Sequence, residues 1–190
     1  MKIYTKTGDG GMTSLYDGTR VQKSHEIFDL LGEIDELSSR IGMLCALNRS
    51  NEHSDQRLSN TSQLLRTIQH ILQNFNSHLA TPDESKKSRL PVLSETWVTK
   101  LEDAIDSMEK ENSKLTKFIL PGVRPIDAQA HLCRTQTRTV ERMLVEKYNN
   151  CDVNLIMLHF FNRLSDYFFV LARWFCTINH IPDIIDTYTA

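Results

Sequence analysis

The stretch that decides the fold is "NLIMLHFFNRLSDYFFVLARWFCTIN", residues 154–179. Leu155, Leu158, Phe161, Leu164, Phe168, Leu171 and Phe175 recur at three- and four-residue steps, which marks a helix, and Phe160, Phe169 and Trp174 carry apolar surface onto its other faces. A helix apolar nearly all the way round needs neighbours on every side. It belongs at the centre of a bundle or against a second subunit. Only "NRLSD" breaks the pattern, with Asn162 and Asp166 stacked one turn apart.

The rest of the chain supplies those neighbours. Ile27, Leu30, Leu31, Ile34, Leu37, Ile41 and Leu44 form one apolar stripe, predicting a helix over 24–47. The polar stretch "NRSNEHSDQRLSNTS" (48–62) precedes a second helix, which carries Leu64, Leu65, Ile68, Ile71, Leu72, Phe75 and Leu79 up to Pro82. "TPDESKKSRLP" (81–91) reads as a charged surface loop, and Ser94 can cap a third helix bearing Trp97, Leu101, Ile105 and Met108. "FILPG" (118–122) is a short apolar segment. A fourth helix is expected over 125–148, with Pro125 in its first turn, where the missing N–H costs nothing. No strand is expected beyond the first few residues. The fold class is all-α: a five-helix bundle (24–180) under an ordered N-terminal glycine-rich loop (1–23), in a single domain of 190 residues.

Composition narrows the functional classes. A formal net charge of −2 and the absence of Lys/Arg runs remove the usual reason to expect nucleic acid. Cys45, Cys133, Cys151 and Cys176 form no C-x-x-C pair, so buried free thiols are expected rather than disulfides or zinc. His131 beside Cys133 reads as a helix-core pair rather than a catalytic dyad. No apolar run looks long and uncharged enough to span a bilayer, and no signal peptide precedes the loop.

That loop, "IYTKTGDGGMTSLYDGTRVQK" (3–23), gathers Thr5, Lys6, Thr7 and Thr13 around Gly8, Gly10 and Gly11, with Arg20 and Lys23 following. Glycines let backbone N–H groups approach a ligand, hydroxyls donate to anionic oxygens, and lysines neutralise charge. This is the chemistry of a polyphosphate cradle, although neither G-x-x-x-x-G-K-[ST] nor G-x-G-x-x-G is present. A second constellation lies in "AHLCRTQTRTVERML" (130–144), where Arg134, Arg138, Glu141 and Arg142 share one helical face. Such a stripe is commonly a solvated salt-bridge face. Matching polar interruptions at Asp35 and Glu36 in the first helix, and at Asn162 and Asp166 in the last, point instead to one buried or interfacial site. Arginines there suit phosphate oxygens, because a guanidinium offers forked, charge-assisted bonds.

Taken in order, "YTKTGDGG" (4–11), G-x-R-x-x-K (18–23), "DELSSRIG" (35–42), "FILPG", R-x-x-x-R-x-x-E-R (134–142) and "NRLSDYFFVLAR" (162–173) resemble the PduO-type ATP:cob(I)alamin adenosyltransferases. "DELSS" and "HLATP" (78–82) are closer to the eukaryotic branch. The resemblance implies a homotrimeric five-helix bundle with active sites between subunits. The implied reaction moves the 5′-deoxyadenosyl group of ATP to the cobalt of cob(I)alamin and releases triphosphate. It implies that Thr5, Lys6, Thr7, Gly8, Thr13, Ser14 and Lys23 wrap the triphosphate. Arg138, Thr139, Val140, Glu141, Arg142 and Asn162 would complete the ATP site, with Mg²⁺ held mainly by the phosphates and by no protein ligand set. Asp35 and Arg134 would pair across subunits, and Phe118 would face the lower side of the corrin. Arg138, Glu141 and Phe118 are thus the candidate catalytic residues, with Glu141 orienting Arg138 or the ribose.

Two departures stand out: Val123 where the family often has a second glycine, and Thr139 where it usually has a second arginine. The resemblance also implies a reductase supplying Co(I), an adenosylcobalamin-dependent mutase as client, and no membrane or nucleic-acid partner. It places a eukaryotic member in the mitochondrial matrix, with its presequence absent from this chain, and any other member in the cytoplasm. Two competing readings remain: an escort protein that delivers adenosylcobalamin without turnover, and a structural bundle whose polar stripe is only a salt-bridge network.

Overall fold

The computed structural model describes residues 4–49, 55–148 and 154–186. Helix α1 spans Ile27–Asn48, α2 Gln56–Leu79, α3 Glu84–Lys87, α4 Thr96–Glu109, α5 Pro125–Tyr148 and α6 Leu155–Thr177. Five long helices make the bundle, and α3 is a single turn. Helix α5 packs on α6 and on α1, α4 packs on α6, and α2 packs on α1. Phe75 of α2 closes the arrangement, its ring 5.2 Å from Phe160, 5.6 Å from Phe161 and 5.7 Å from Trp97.

Helix α6 is the axis. Phe160, Phe161, Leu164, Tyr167, Phe168, Leu171, Trp174 and Phe175 are all buried, which accounts for the all-round apolarity of the sequence. By length and composition alone α6 could cross a membrane, so the expectation that no run qualifies needs correcting. In this fold that hydrophobicity is spent on the bundle core. Asn154 caps it, its side chain accepting from the Ile156 N–H at 2.8 Å.

The start of α2 and the charged loop differ from expectation. Helix α2 begins inside the polar stretch, because Asp55 caps it by accepting from the Arg57 N–H at 2.8 Å. Leu58 is the first apolar side chain there, and buried Asn48 fixes that turn by donating to the Leu58 carbonyl at 2.9 Å. Apolar periodicity starts too late to register these turns. In the charged loop, Asp83 caps α3 by accepting from the Ser85 N–H. For α4 the N-cap position is Glu95, which makes no side-chain cap bond, and Ser94, one residue earlier than the cap expected of it, accepts from the Thr96 N–H at 3.2 Å.

Four short strands were not expected. Strand β1 (Met12–Ser14) pairs antiparallel with β2 (Arg20–Gln22), and β3 (Ile119–Leu120) pairs with β4 (Ile184–Ile185). Two or three residues are too few to show an alternating pattern. Cys45, Cys133 and Cys176 are buried free thiols, and Cys151 lies outside the described residues. Burial pushes the Cys133 thiol up to about 12 and the Cys176 thiol up to about 11.

Candidate functional site

The N-terminal loop is a built object. Lys6 has φ 61° and Gly11 φ 79°, so the backbone turns through the left-handed region at both. Asp9 N–H donates to the Lys6 carbonyl and Gly11 N–H to the Gly8 carbonyl, each at 3.3 Å. Arg20, on the neighbouring strand, staples the loop by donating to the Thr7 carbonyl at 3.0 Å and to Ser14 Oγ at 3.3 Å. Lys23 N–H donates to the Gly11 carbonyl at 2.8 Å, and its side chain lies across Gly8. A Cβ on Gly8 would stand 3.2 Å from Lys23 Nζ, a tight contact that the flexible end of the lysine would have to relieve by moving a few tenths of an ångström. The Thr5 and Thr7 hydroxyls meet at 2.8 Å. At the hairpin tip, Tyr16 N–H donates to the Ala80 carbonyl and ties the loop to the end of α2.

Helix α5 has two faces. Cys133, Thr137, Val140 and Leu144 are buried in the core, while Arg138 and Arg142 are exposed and Arg134 is half-buried. Arg134, Arg138, Glu102, Arg163 and Asp166 line a cleft of about 660 Å³ between α4, α5 and α6. Arg163 is satisfied there, donating to Glu102 at 3.1 Å and to Asp166 at 2.9 Å. Among the described residues Arg134 has no such carboxylate. Its Nε donates to His131 Nδ1 at 3.3 Å, so His131 accepts as a neutral ring. Burial, then the Arg134 charge, hold His131 below its ordinary pKa. Arg138 makes no hydrogen bond or ion pair with the described residues. Glu141 accepts from Asn162 Nδ2 at 2.9 Å, not from Arg138. Thr139 Oγ1 accepts from Arg142 at 3.3 Å, so the departure at 139 gives Arg142 a rest position.

The polar stripe is therefore not buried. Arginines without carboxylates are costly inside a bundle, and α5 turns Arg138 and Arg142 outward. Asp35 and Glu36 do not join the cleft. Glu36 pairs with Arg40 of its own helix, and exposed Asp35 makes no bond with the described residues. Nor does the N-terminal loop reach it: no hydrogen bond or ion pair between described residues links Thr5–Ser14 or Lys23 to Arg138, Glu141, Arg142 or Asn162. The region just after the loop meets α5 at Lys147, which pairs with Glu26 at 2.8 Å. That point is roughly 13 Å beyond Arg138 at 1.5 Å of rise per residue.

Phe118 is 85% exposed, so it does not plug the bundle end. It borders an apolar hollow of about 680 Å³ lined also by Leu115, Ile119, His131, Arg134 and Phe169. Val123 does not adopt a left-handed φ, whereas Gly122 does (106°), so a second glycine is not needed for this turn. The Asp127 carboxylate accepts from the N–H groups of Gly122, Val123 and Arg124. Asp127 was not singled out in the sequence, although an acid just after Pro125 at a helix start is a legible cap signal. Arg163 and the β4 segment were also missed, since their roles depend on which helices meet; His131 is buried, as its reading as a helix-core residue expected, but its bond to Arg134 was not foreseen. No group of three or more His, Cys, Asp or Glu among the described residues could hold a metal ion.

The fold is a helical bundle with an ordered glycine-rich loop and a cleft in which Arg134 and Arg138 have no carboxylate partner among the described residues. The comparisons with known proteins identify its family. The family model "Cobalamin adenosyltransferase" matches residues 3–175, and the chain belongs to that family. It is 41% identical over 173 residues to the corrinoid adenosyltransferase of Bacillus subtilis, covering 91% of this chain and 86% of that protein. It is 36% identical over 176 residues to the human corrinoid adenosyltransferase MMAB, covering 91% and 68%. The Salmonella typhimurium corrinoid adenosyltransferase PduO is 37% identical over 173 residues, which are 91% of this chain and 49% of that protein. The chain thus spans about half the length of the PduO relatives it matches. Among solved structures, a phenylalanine-to-alanine variant of the PduO-type ATP:corrinoid adenosyltransferase from Lactobacillus reuteri, complexed with cobalamin and ATP, superposes with a TM-score of 0.86. That match has 32% identity and covers 98% of this chain and 99% of the other.

Proposed function

We propose that this protein is an ATP:corrinoid adenosyltransferase that moves the 5′-deoxyadenosyl group of ATP onto cob(I)alamin. The observation that carries the reading is Arg138, a guanidinium with no partner among the described residues, in a cleft where Arg163 is satisfied by carboxylates and Arg134 bonds only to a neutral imidazole. A free guanidinium there is a site for phosphate oxygens. Family membership and relatives bearing that activity by name support it.

In this reading the Co(I) of the corrinoid substrate attacks C5′ of ATP, the C5′–O bond breaks, and triphosphate leaves with the electron pair. The chain supplies positioning and charge compensation rather than a nucleophile. Thr5, Lys6, Thr7, Gly8, Thr13, Ser14 and Lys23 would hold the triphosphate, with Mg²⁺ on the phosphate oxygens. The loop's donors are hydroxyls, backbone N–H groups and ammonium, which suit phosphate rather than a bare cation. Arg138, Thr139, Val140, Glu141, Arg142 and Asn162 would contribute from the bundle, Glu141 being positioned by Asn162. Phe118 would press on the lower corrin face. Having no lone pair, it excludes an axial ligand and eases reduction to Co(I).

Because loop and cleft are separate on one chain, the complete site requires a loop from one subunit and a cleft from the next, in a trimer joined in part by Asp35 and Arg134. A reductase and a client mutase complete the proposed partners. The compartment follows the lineage: mitochondrial matrix for a eukaryotic chain, cytoplasm for a bacterial one. Conversion of cob(I)alamin to adenosylcobalamin with ATP, followed by its visible spectrum and by triphosphate release, tests the reading. Absence of both products with reduced corrinoid present contradicts it.

A further inference from the structure

From the packing around the end of α6, we infer that Arg173 is a positioning residue that fixes Phe118 through the segment following α6. The inference rests on the corrinoid role of Phe118 proposed above.

Arg173 is 2% exposed, and a guanidinium taken out of water needs partners on several sides. Its Nε donates to Asp183 Oδ2 at 3.0 Å, one terminal nitrogen donates to the Ser113 carbonyl at 2.7 Å, and the other lies 3.6 Å from Glu109 Oε1. These partners lead to both strands of one small sheet. Ser113 opens the segment that runs to Phe118 and β3. Asp183 immediately precedes β4, where Ile184 pairs with Leu120 and Ile185 with Ile119. Asp186 N–H then donates to the Phe118 carbonyl at 2.9 Å.

Burial does not hold this sheet. Phe118, Leu120, Ile184 and Ile185 are all exposed. An aromatic ring so placed has little packing of its own, so its position comes from its backbone. That backbone is held at one end by the Asp127 carboxylate and at the other by the guanidinium of Arg173, directly at Ser113 and through Asp183 and β4. Neighbouring bonds stiffen the base: Thr177 Oγ1 donates to Asn112 Oδ1 at 2.9 Å and Trp174 Nε1 to Glu111 Oε1 at 3.1 Å. The same guanidinium that ties α6 to the end of α4 thus sets the edge that faces the corrin.

The test is Asp183→Asn, which removes the anionic acceptor while Ser113 and Glu109 still hold Arg173, so the bundle remains folded. Backbone amide exchange across residues 118–120 is expected to rise roughly tenfold, as for loss of a charge-assisted bond, with exchange in α5 unchanged. With ATP and cob(II)alamin, the four-coordinate electron paramagnetic resonance signal is expected to fall while ATP affinity holds, and Asp183→Glu should restore it. In a Phe118→Ala background, Asp183→Asn should have no further effect on the cobalt signal. Unchanged exchange at 118–120, or a cobalt effect that adds to that of Phe118→Ala, overturns the inference. If the wild-type protein gives no four-coordinate signal at all, the corrinoid reading fails, and positioning for that chemistry fails with it. The exchange result still decides whether Asp183 fixes the edge.

Discussion

The two halves of the proposed site are built in opposite ways. The N-terminal loop satisfies itself: Arg20 and Lys23 spend donors on its carbonyls, and its turns close through Lys6, Gly8 and Gly11. The face of α5 leaves charge over: Arg138 has no partner among the described residues, and Arg134 has only a neutral imidazole. A loop that must surround a polyphosphate gains from being organised beforehand, because ordering it on binding would cost affinity. A surface that must meet an anion or a neighbouring subunit gains from keeping its guanidinia uncommitted, since charge already paired internally is unavailable.

The largest expected effect falls on the uncommitted half. Arg138→Ala removes a charge-assisted bond to phosphate, which costs roughly 1.5–3 kcal/mol, or about ten- to a hundredfold in affinity or rate. Titration with ATP and steady-state kinetics measure it, with assembly expected to survive. Wild-type binding and turnover in this variant would remove the contrast between the halves.

Next in size is Asp35→Asn. Asp35 is exposed and unpaired among the described residues, so its expected partner is the Arg134 of a neighbour. Loss of the pair should lower activity and trimer content together by about tenfold, and exchanging the charges (Asp35→Arg with Arg134→Asp) should recover part of both. Analytical ultracentrifugation beside the activity assay checks it. An exchange no better than the worse single change would mean that the two do not meet.

A smaller effect concerns pH. The folded state holds His131 below its ordinary value, so it resists a proton that the unfolded chain accepts. Stability from this group is complete above about pH 6.5 and is lost as pH falls below that value. His131→Gln should therefore flatten the acid side of the melting-temperature profile below about pH 6.5. An identical slope in both proteins would show that other groups control it. Smallest of all, buried Cys45, Cys133 and Cys176 should resist alkylation in the native protein at neutral pH. Rapid labelling of any of them, read by mass spectrometry, would contradict the packing.

The bundle was legible because α6 announces its burial at every step, and Pro125 marks the start of α5 where the structure places it. The early turns of α2 were not, because Leu58 alone carries their apolar signal and the cap at Asp55 lies among many polar residues. The candidate site was legible in kind but not in place. Periodicity put Arg134 and Arg138 on one face, yet could not say whether that face looks inward. The core demand of Cys133, Thr137 and Val140 on the opposite side decides it. Arg173 was hidden for the same reason, since one cation in an apolar helix reveals no partners until Asp183 folds back beside it.

The central claim is that loop and cleft act together only across two chains, and mixed assemblies test it most directly. Lys23→Ala disables the loop and Arg138→Ala disables the cleft, each leaving the other half intact. Each variant alone should have little activity. Co-expressed in equal amounts and purified as mixed trimers, they should regain about a third of wild-type turnover, because one junction in three of each mixed trimer joins an intact loop to an intact cleft. Mixed trimers no more active than the two separate variants would show that each chain completes its own site, and would contradict the account.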